Sequence, residues 1–325
     1  MTRLAWFAIL SFLMAAGAAG TGAPARALEL VAWTEQAVTI GEGAGALHGS
    51  YIAPDDYVTA FDAVLILAGS GPTDRNGNQT GMQNNSLKLL AEALGYAGIA
   101  TLRIDKRGIA ASAAAMTREE DLRFETYIDD ARAWLAFVKA QPRVRRVFVI
   151  GHSEGALIGA VVAQSADVAG YVSLAGVGEK AADVLRRQLA ANSPVAAELA
   201  EPTLKKLEAG ELDPNPAPAL AALFRPSVQP YLISWFRYDP AIEIAKIPGK
   251  VAIVQGTTDL QVLVSDAERL HAARPDAAYT IVEGMNHVLK AVPADRAANI
   301  AAYSDPSLPL ASGLTAALLT FVAGS

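Results

Sequence analysis

Along the chain, short apolar runs rich in β-branched residues alternate with longer stretches whose apolar residues recur at helical spacing. The runs are Val31 to Ile40, Leu47 to Ala53, Ala63 to Leu67, Ile99 to Ile104, Val147 to Ile150, Tyr171 to Leu174, Val251 to Gln255 and Tyr279 to Val282. The first two flank Gly41-Glu42-Gly43 and predict an opening antiparallel hairpin. The last six are near-continuously apolar, which predicts parallel strands buried on both faces. Helical spacing covers Asn85 to Leu94, Phe124 to Lys139, Gly155 to Gln164, Val264 to Ala273 and Leu310 to Val322. This alternation predicts an α/β fold with a mostly parallel central sheet and helices on both faces.

One stretch breaks the alternation. From Gly178 to about Ile247 no strand-like run occurs; helical pieces at Ala181 to Ala191 and Val195 to Ala209 lead into a connection through Pro214, Pro216 and Pro218. The expectation is a helical cap inserted at 178–247 into a core made of 28–177 and 248–325. Such a cap sits above the carboxyl ends of the strands, where open α/β sheets bind ligands. Residues 1–27 have a charged start, an apolar middle and an Ala25-Arg26-Ala27 ending, the order of a secretory signal peptide cleaved after Ala27. A retained anchor is the alternative, and either way the folded part is expected outside the cytoplasm, periplasmic or secreted. Leu310 to Val322 is short for a membrane span and reads as a buried terminal helix, with an amphipathic membrane contact as the other reading.

Composition narrows the function classes. Without residues 1–27, which hold Arg3 and Arg26 and no acid, 25 basic residues face 33 acidic ones for a formal charge of −8. A mildly acidic, well-mixed surface offers no footprint for nucleic acid or for an anionic membrane. Cysteine is absent, which excludes disulfides, thiolate zinc sites and a cysteine nucleophile. No spacing of His, Asp and Glu argues for a metal site, and no cofactor is expected.

The chemistry concentrates in Gly151-His152-Ser153-Glu154-Gly155, a G-x-S-x-G pattern set between a predicted strand and a predicted helix. A serine on so sharp a turn needs small neighbours to keep a strained backbone free of clashes. Its hydroxyl also needs a base and an orienting acid, in the order Ser, Asp, His. Asp259 follows the run Val251 to Gln255, and His287 follows Tyr279 to Val282, so both are expected at the sheet edge that carries Ser153. An oxyanion requires two backbone N–H donors. One is assigned to Glu154, after the nucleophile, and the other to Ser70, in the glycine-rich loop after Ala63 to Leu67.

Other residues have blander readings beside the chemical one. His152 adjoins the nucleophile and reads as packing rather than base, His271 as a solvated helix position, and His48 lies in the opening hairpin. Asp266 reads as surface charge on the helix after the acid loop. Asp105 and Arg107 fit a loop-fixing pair as well as a substrate contact, and Asp74 and Arg75 fit either role. In the cap, Phe224, Tyr231, Trp235, Phe236 and Tyr238 cluster after the prolines. The substrate contacts expected from these groups are Arg75, Trp235, Phe236 and Tyr238, the aromatics lining an apolar pocket.

Five segments together resemble the α/β-hydrolases and, within them, the serine aminopeptidase-like esterase branch. They are Gly69-Ser70-Gly71-Pro72-Thr73-Asp74-Arg75, Arg103-Ile104-Asp105-Lys106-Arg107-Gly108, Gly151 to Gly155, Gln255-Gly256-Thr257-Thr258-Asp259-Leu260-Gln261-Val262 and Met285-Asn286-His287. The resemblance implies cofactor-free hydrolysis of small-molecule carboxylic esters, with amide or thioester turnover as alternatives. It departs from many relatives at Ala68, where a histidine commonly precedes the oxyanion glycine. The rival enzyme reading, an exported aminopeptidase, requires an acidic pocket for a free amine, for which Glu198, Glu201, Glu208 and Glu211 are the available acids. A catalytically silent binder of apolar ligands is the reading from another class.

Overall fold

Eight strands form one sheet in the computed structural model, which describes residues 30–165 and 167–325. The expected signal segment, 1–27, lies outside the described residues. The strands are β1 (Trp33–Ile40), β2 (Leu47–Pro54), β3 (Phe61–Leu67), β4 (Ala100–Ile104), β5 (Val144–His152), β6 (Gly170–Leu174), β7 (Lys250–Gly256) and β8 (Ala278–Val282). Their spatial order is β1-β2-β4-β3-β5-β6-β7-β8. The first hairpin is antiparallel and β2 joins β4 antiparallel, while every pairing from β4 to β8 is parallel. This is the mostly parallel α/β sheet that the apolar runs predict, in the α/β-hydrolase arrangement that the resemblance implies.

Side chains alternate across the sheet with period two, so each strand feeds two cores. Leu65, Val149, Tyr171 and Ile253 point to the face covered by α2 (Phe124–Lys139), α3 (Glu154–Ser165) and α9 (Val264–Ala273). Val64, Ile66, Phe148, Ile150, Val172 and Val254 point to the other face, under α1 (Ser86–Tyr96) and α11 (Ser312–Ala323). Both α3 and β3 are buried nearly throughout, as their largely apolar sequences require. Among the described residues no helix is long and apolar enough to cross a membrane.

Between β6 and β7 the chain is helical: α4 (Ala181–Asn192), α5 (Pro194–Glu208), α6 (Ala221–Phe224), α7 (Gln229–Phe236) and α8 (Pro240–Ala245). An aromatic joint docks this segment on the sheet's helical layer. Trp235 stacks on Phe124 at the start of α2, with ring centroids 6.0 Å apart and planes 8° from parallel. Tyr231 and Tyr238 lean on the same ring, and the Ser234 hydroxyl accepts from the Phe124 N–H at 2.8 Å.

Asp266 differs from its surface reading, because it is almost wholly buried. It accepts from the N–H groups of Gly178 (3.0 Å) and Leu263 (2.9 Å) and from the Arg187 guanidinium (2.7 Å). One carboxylate thus ties the loop after β6, the segment after Asp259 and α4 together. Replacing it strands a buried donor at Gly178 and leaves Arg187 without this partner, both costly. Asp266→Ala is expected to destabilise the protein by about 2–4 kcal/mol in urea unfolding; a loss below about 0.5 kcal/mol is the mark of a surface charge.

Candidate active site

The turn from β5 into α3 carries Ser153 with φ at +57°, a left-handed conformation that costs a serine energy. Sterics explain why both flanking positions are glycine. A Cβ on Gly151 would stand 2.1 Å from the Gly155 carbonyl oxygen, and one on Gly155 would stand 2.4 Å from that of Leu67. The turn is wedged against the end of β3, which points the Ser153 side chain away from the sheet and into open space.

That space consists of two cavities meeting at Ser153, Ser70 and Gln261. The larger, about 650 Å³, lies between core and cap and is lined mainly by apolar groups, among them Val184, Leu185, Leu223, Leu232 and Trp235. The smaller, about 80 Å³, is walled by the core's own loops through Thr73, Gln79, Asn84 and Tyr303. His287 lines the smaller one.

His287 and Asp259 sit on the loops after β8 and β7, which are stitched to each other. The Thr258 N–H donates to the Met285 carbonyl at 3.2 Å, and the Asn299 side chain joins Asn286 to the Thr258 carbonyl. His287 Nδ1 lies 2.8 Å from Asp259 Oδ2. A carboxylate only accepts, so Nδ1 carries the proton and Nε2 is left for the cavity. Asp259 also accepts from the Gln261 and Val262 N–H groups at 2.8 and 2.9 Å and from Gln255 at 3.2 Å. Burial by itself raises this carboxyl, but the charge and hydrogen bond of His287 and the two N–H groups outweigh burial and hold it below the usual carboxylate range. No hydrogen bond joins the Ser153 hydroxyl to the imidazole; unliganded sites of this kind often hold that contact long.

His152 holds His287 through the latter's backbone carbonyl. Its Nε2 lies 2.8 Å from the His287 carbonyl oxygen, so Nε2 is the protonated nitrogen, and the two rings lie 4.8 Å apart. Full burial, reinforced by the neighbouring His287, pushes His152 down to about 3, which keeps it neutral and unfit to serve as a base at neutral pH.

The two N–H groups assigned to the oxyanion are both unspent among the described residues: neither Ser70 nor Glu154 donates its backbone N–H to another described group. Gly69 lets the loop approach, since a Cβ there would stand 3.0 Å from that of Ser153. Ala68 is buried in the core. The loop is held by Thr73, whose hydroxyl donates to the Ser70 carbonyl at 2.8 Å, and by Lys106, whose ammonium donates to the Gly69 carbonyl at 2.6 Å.

Of the expected substrate contacts, only Trp235 lines a cavity. Arg75 is spent on Asp105, through its N–H at 2.8 Å and its guanidinium at 3.0 Å. Phe236 is buried in the core packing, and the Tyr238 hydroxyl donates to Glu125. Tyr231, from the same aromatic cluster, lines the larger cavity in their place. Arg107 pairs with Asp130 and fixes its loop. Sequence reasoning gave no role to Lys106, and it named Tyr231 in the aromatic cluster but not among the expected contacts. Their signal was indirect: Glu154 is a carboxylate in an otherwise apolar, buried helix, which demands a cationic partner.

The sheet order and the serine turn after β5 define the class, the α/β-hydrolase enzymes. A family model described as serine aminopeptidase, S33, matches residues 81–296, more than half of the chain, and the chain belongs to that family. Esterase EstD of Thermotoga maritima is 27% identical over 242 residues, covering 70% of this chain and 55% of that protein. The chain therefore spans about half the length of this curated relative. Among solved structures, Est1E from Butyrivibrio proteoclasticus has a TM-score of 0.57 at 16% identity, covering 88% of this chain and 99% of that one. An esterase domain from a Rhodothermus marinus protein has a TM-score of 0.53 at 18% identity, covering 90% and 96%.

His152 supplies a pH prediction. A histidine held at about 3 binds fewer protons folded than unfolded between that value and its ordinary 6.5, so stability rises with pH across that window and is lost as pH falls through it. Urea unfolding of His152→Gln against pH is expected to show a visibly flatter loss between pH 6.5 and 4; an unchanged slope removes His152 as the cause.

Proposed function

We propose that this enzyme hydrolyses carboxylic esters through an acyl-enzyme. Ser153 attacks the ester carbonyl, His287 takes its proton, and Asp259 holds the imidazole in the Nδ1–H tautomer and stabilises its charged form. The N–H groups of Ser70 and Glu154 receive the oxyanion. The alcohol leaves with the proton from His287, and water, activated by the same imidazole, releases the acid. One observation carries the reading: a strained serine shares a cavity with an aspartate-held imidazole, beside two unspent N–H donors. The names of its relatives, esterases, lean the same way.

The two cavities suggest which side of the ester goes where. The departing oxygen must meet His287, which lines the smaller polar cavity, so the alcohol belongs there. The acyl group then fills the apolar chamber under the cap, whose volume of about 650 Å³ falls in the range of small-molecule sites. Peptidase activity is the weaker reading, because a free amine needs an uncommitted carboxylate. The acids lining the chamber are Glu119, held by Arg225 and Ser227, and Glu154, held by Lys106 and Tyr231. Glu198, Glu201, Glu208 and Glu211 line neither cavity.

With methyl esters of increasing acyl length, kcat/KM is expected to climb about fourfold per methylene until the chamber fills, since each buried methylene contributes about 0.8 kcal/mol. Acetate esters of lengthening alcohols are expected to fall. Ser153→Ala is expected to lower kcat by roughly four orders of magnitude or more. A faster aminoacyl amide than ester reverses the choice of substrate class, and retained turnover in Ser153→Ala ends the nucleophile assignment. The same proposal places the enzyme outside the cytoplasm, on the strength of the charged start, apolar run and Ala25-Arg26-Ala27 ending. Exported protein is expected to begin at Leu28 on N-terminal sequencing.

A further inference from the structure

Next to the serine, a line of buried polar groups runs from the cap to the oxyanion loop. The Tyr231 hydroxyl, on α7, donates to Glu154 Oε1. Glu154 Oε2 accepts from the Lys106 ammonium at 3.0 Å, and that ammonium also donates to the Gly69 carbonyl at 2.6 Å. Lys106, Glu154 and Tyr231 are 6%, 2% and 7% exposed, and Lys106 sits 5.1 Å above the centre of the Tyr127 ring. Burial, reinforced by the charge of Glu154, raises Tyr231 well above the usual phenol value, so its hydroxyl stays a donor.

The Gly69 carbonyl matters because it belongs to the same planar trans peptide as the Ser70 N–H. In such a unit the C=O and N–H point in opposite directions, so a hydrogen bond that fixes one fixes the other. An ammonium on the carbonyl also polarises the unit and strengthens its N–H as a donor. Rotating the peptide would turn the Ser70 N–H away and leave Lys106 without this acceptor in a buried setting, which the low-dielectric interior penalises. Glu154 closes the circuit: its carboxylate balances Lys106, while its own backbone N–H is the second donor to the oxyanion.

We infer that Lys106, Glu154 and Tyr231 act together as positioning residues that set the Ser70–Glu154 oxyanion site and join its alignment to the seating of the cap. This rests on the reading of Ser153 as nucleophile. None of the three side chains touches the reacting atoms. Lys106 orients a peptide, Glu154 holds Lys106 and Tyr231 brings the wall of the acyl chamber onto Glu154. The proposed oxyanion site is therefore completed by the segment that also shapes the space for the acyl group.

The test uses Lys106→Met/Glu154→Gln, which removes both charges together and so leaves no orphaned buried ion. With a short acetate ester, which leaves the chamber unfilled, kcat is expected to fall about ten- to hundredfold while KM stays within about twofold, because the lost interaction is made in the transition state. Inhibition by a phenylboronic acid, whose serine adduct is a tetrahedral anion, is expected to weaken by a similar factor. A purely structural role predicts a lower melting temperature with kcat and boronate affinity intact, and that result overturns the inference. Should the double variant fail to fold, Tyr231→Phe carries the test, because it deletes one hydroxyl from the cap. A severalfold lower kcat with weaker boronate inhibition supports the inference, and unchanged values refute it. Ser153→Ala run in parallel separates the two levels: if it is inactive and the positioning variants are unaffected, only this inference falls, whereas activity in Ser153→Ala removes both.

Discussion

A serine at φ +57° is the constraint on which the rest of this site depends. Such a conformation costs roughly 1–3 kcal/mol and persists only where the surroundings admit no other. Here the surroundings are the contact between the β5–α3 turn and the end of β3, so close that a single methyl group at Gly155 has no room. The wedge is maintained by two apolar cores, one on each face of the sheet, and by a helix α3 buried nearly throughout. The strain therefore has its counterweight in ordinary hydrophobic burial, spread over much of the domain, rather than in any local bond.

Around that turn, buried ion pairs do a different job from the cores. Replacing such pairs with apolar residues is often neutral or stabilising, so they are poor candidates for net stability. Each one here joins segments far apart in the chain. Asp266 pairs with Arg187 between α9 and α4 and Glu154 pairs with Lys106 between α3 and the loop after β4, while the charged Asp259 accepts a hydrogen bond from His287 across two strand ends. Connecting segments are by default the most mobile parts of a domain. Hydrogen-bonded charges, which tolerate little displacement, fix what the cores leave free.

How much of this could be read from sequence follows from the range of the interactions. The strands β3 to β8 and helices α2, α3 and α9 were legible because burial on one or two faces imposes a period on neighbouring residues. The grouping of Ser153, Asp259 and His287 at one rim was legible because each follows a strand that a parallel sheet brings to the same edge. Contacts set by packing between remote elements left no such mark. Nothing near Arg75 says that its guanidinium turns to Asp105, and nothing near Phe236 or Tyr238 says that the aromatic joint presents Trp235 and Tyr231 to the chamber. Asp266 misleads for a related reason: a carboxylate one turn into a helix looks solvated unless the loop that covers it, here at Gly178, is known.

The division of the open space has a consequence for how selectivity is distributed. The large cavity takes much of its wall from α4 and α7; α7 reaches Glu154 through Tyr231, and α4 reaches the segment after Asp259 through Arg187 and Gln188. Changes at Val184, Leu185 or Trp235 reshape that wall without touching Asp259, His287 or the Gly69–Ser70 peptide. The small cavity has no such independence. Thr73 lines it and, through the same hydroxyl, braces the Ser70 carbonyl while accepting from Gln79. A substitution at Thr73 that enlarges this side also loosens the loop that carries Ser70. On the proposed reading, the acyl side can therefore diversify at little cost to chemistry, whereas the alcohol side is tied to the oxyanion site by a shared hydrogen bond.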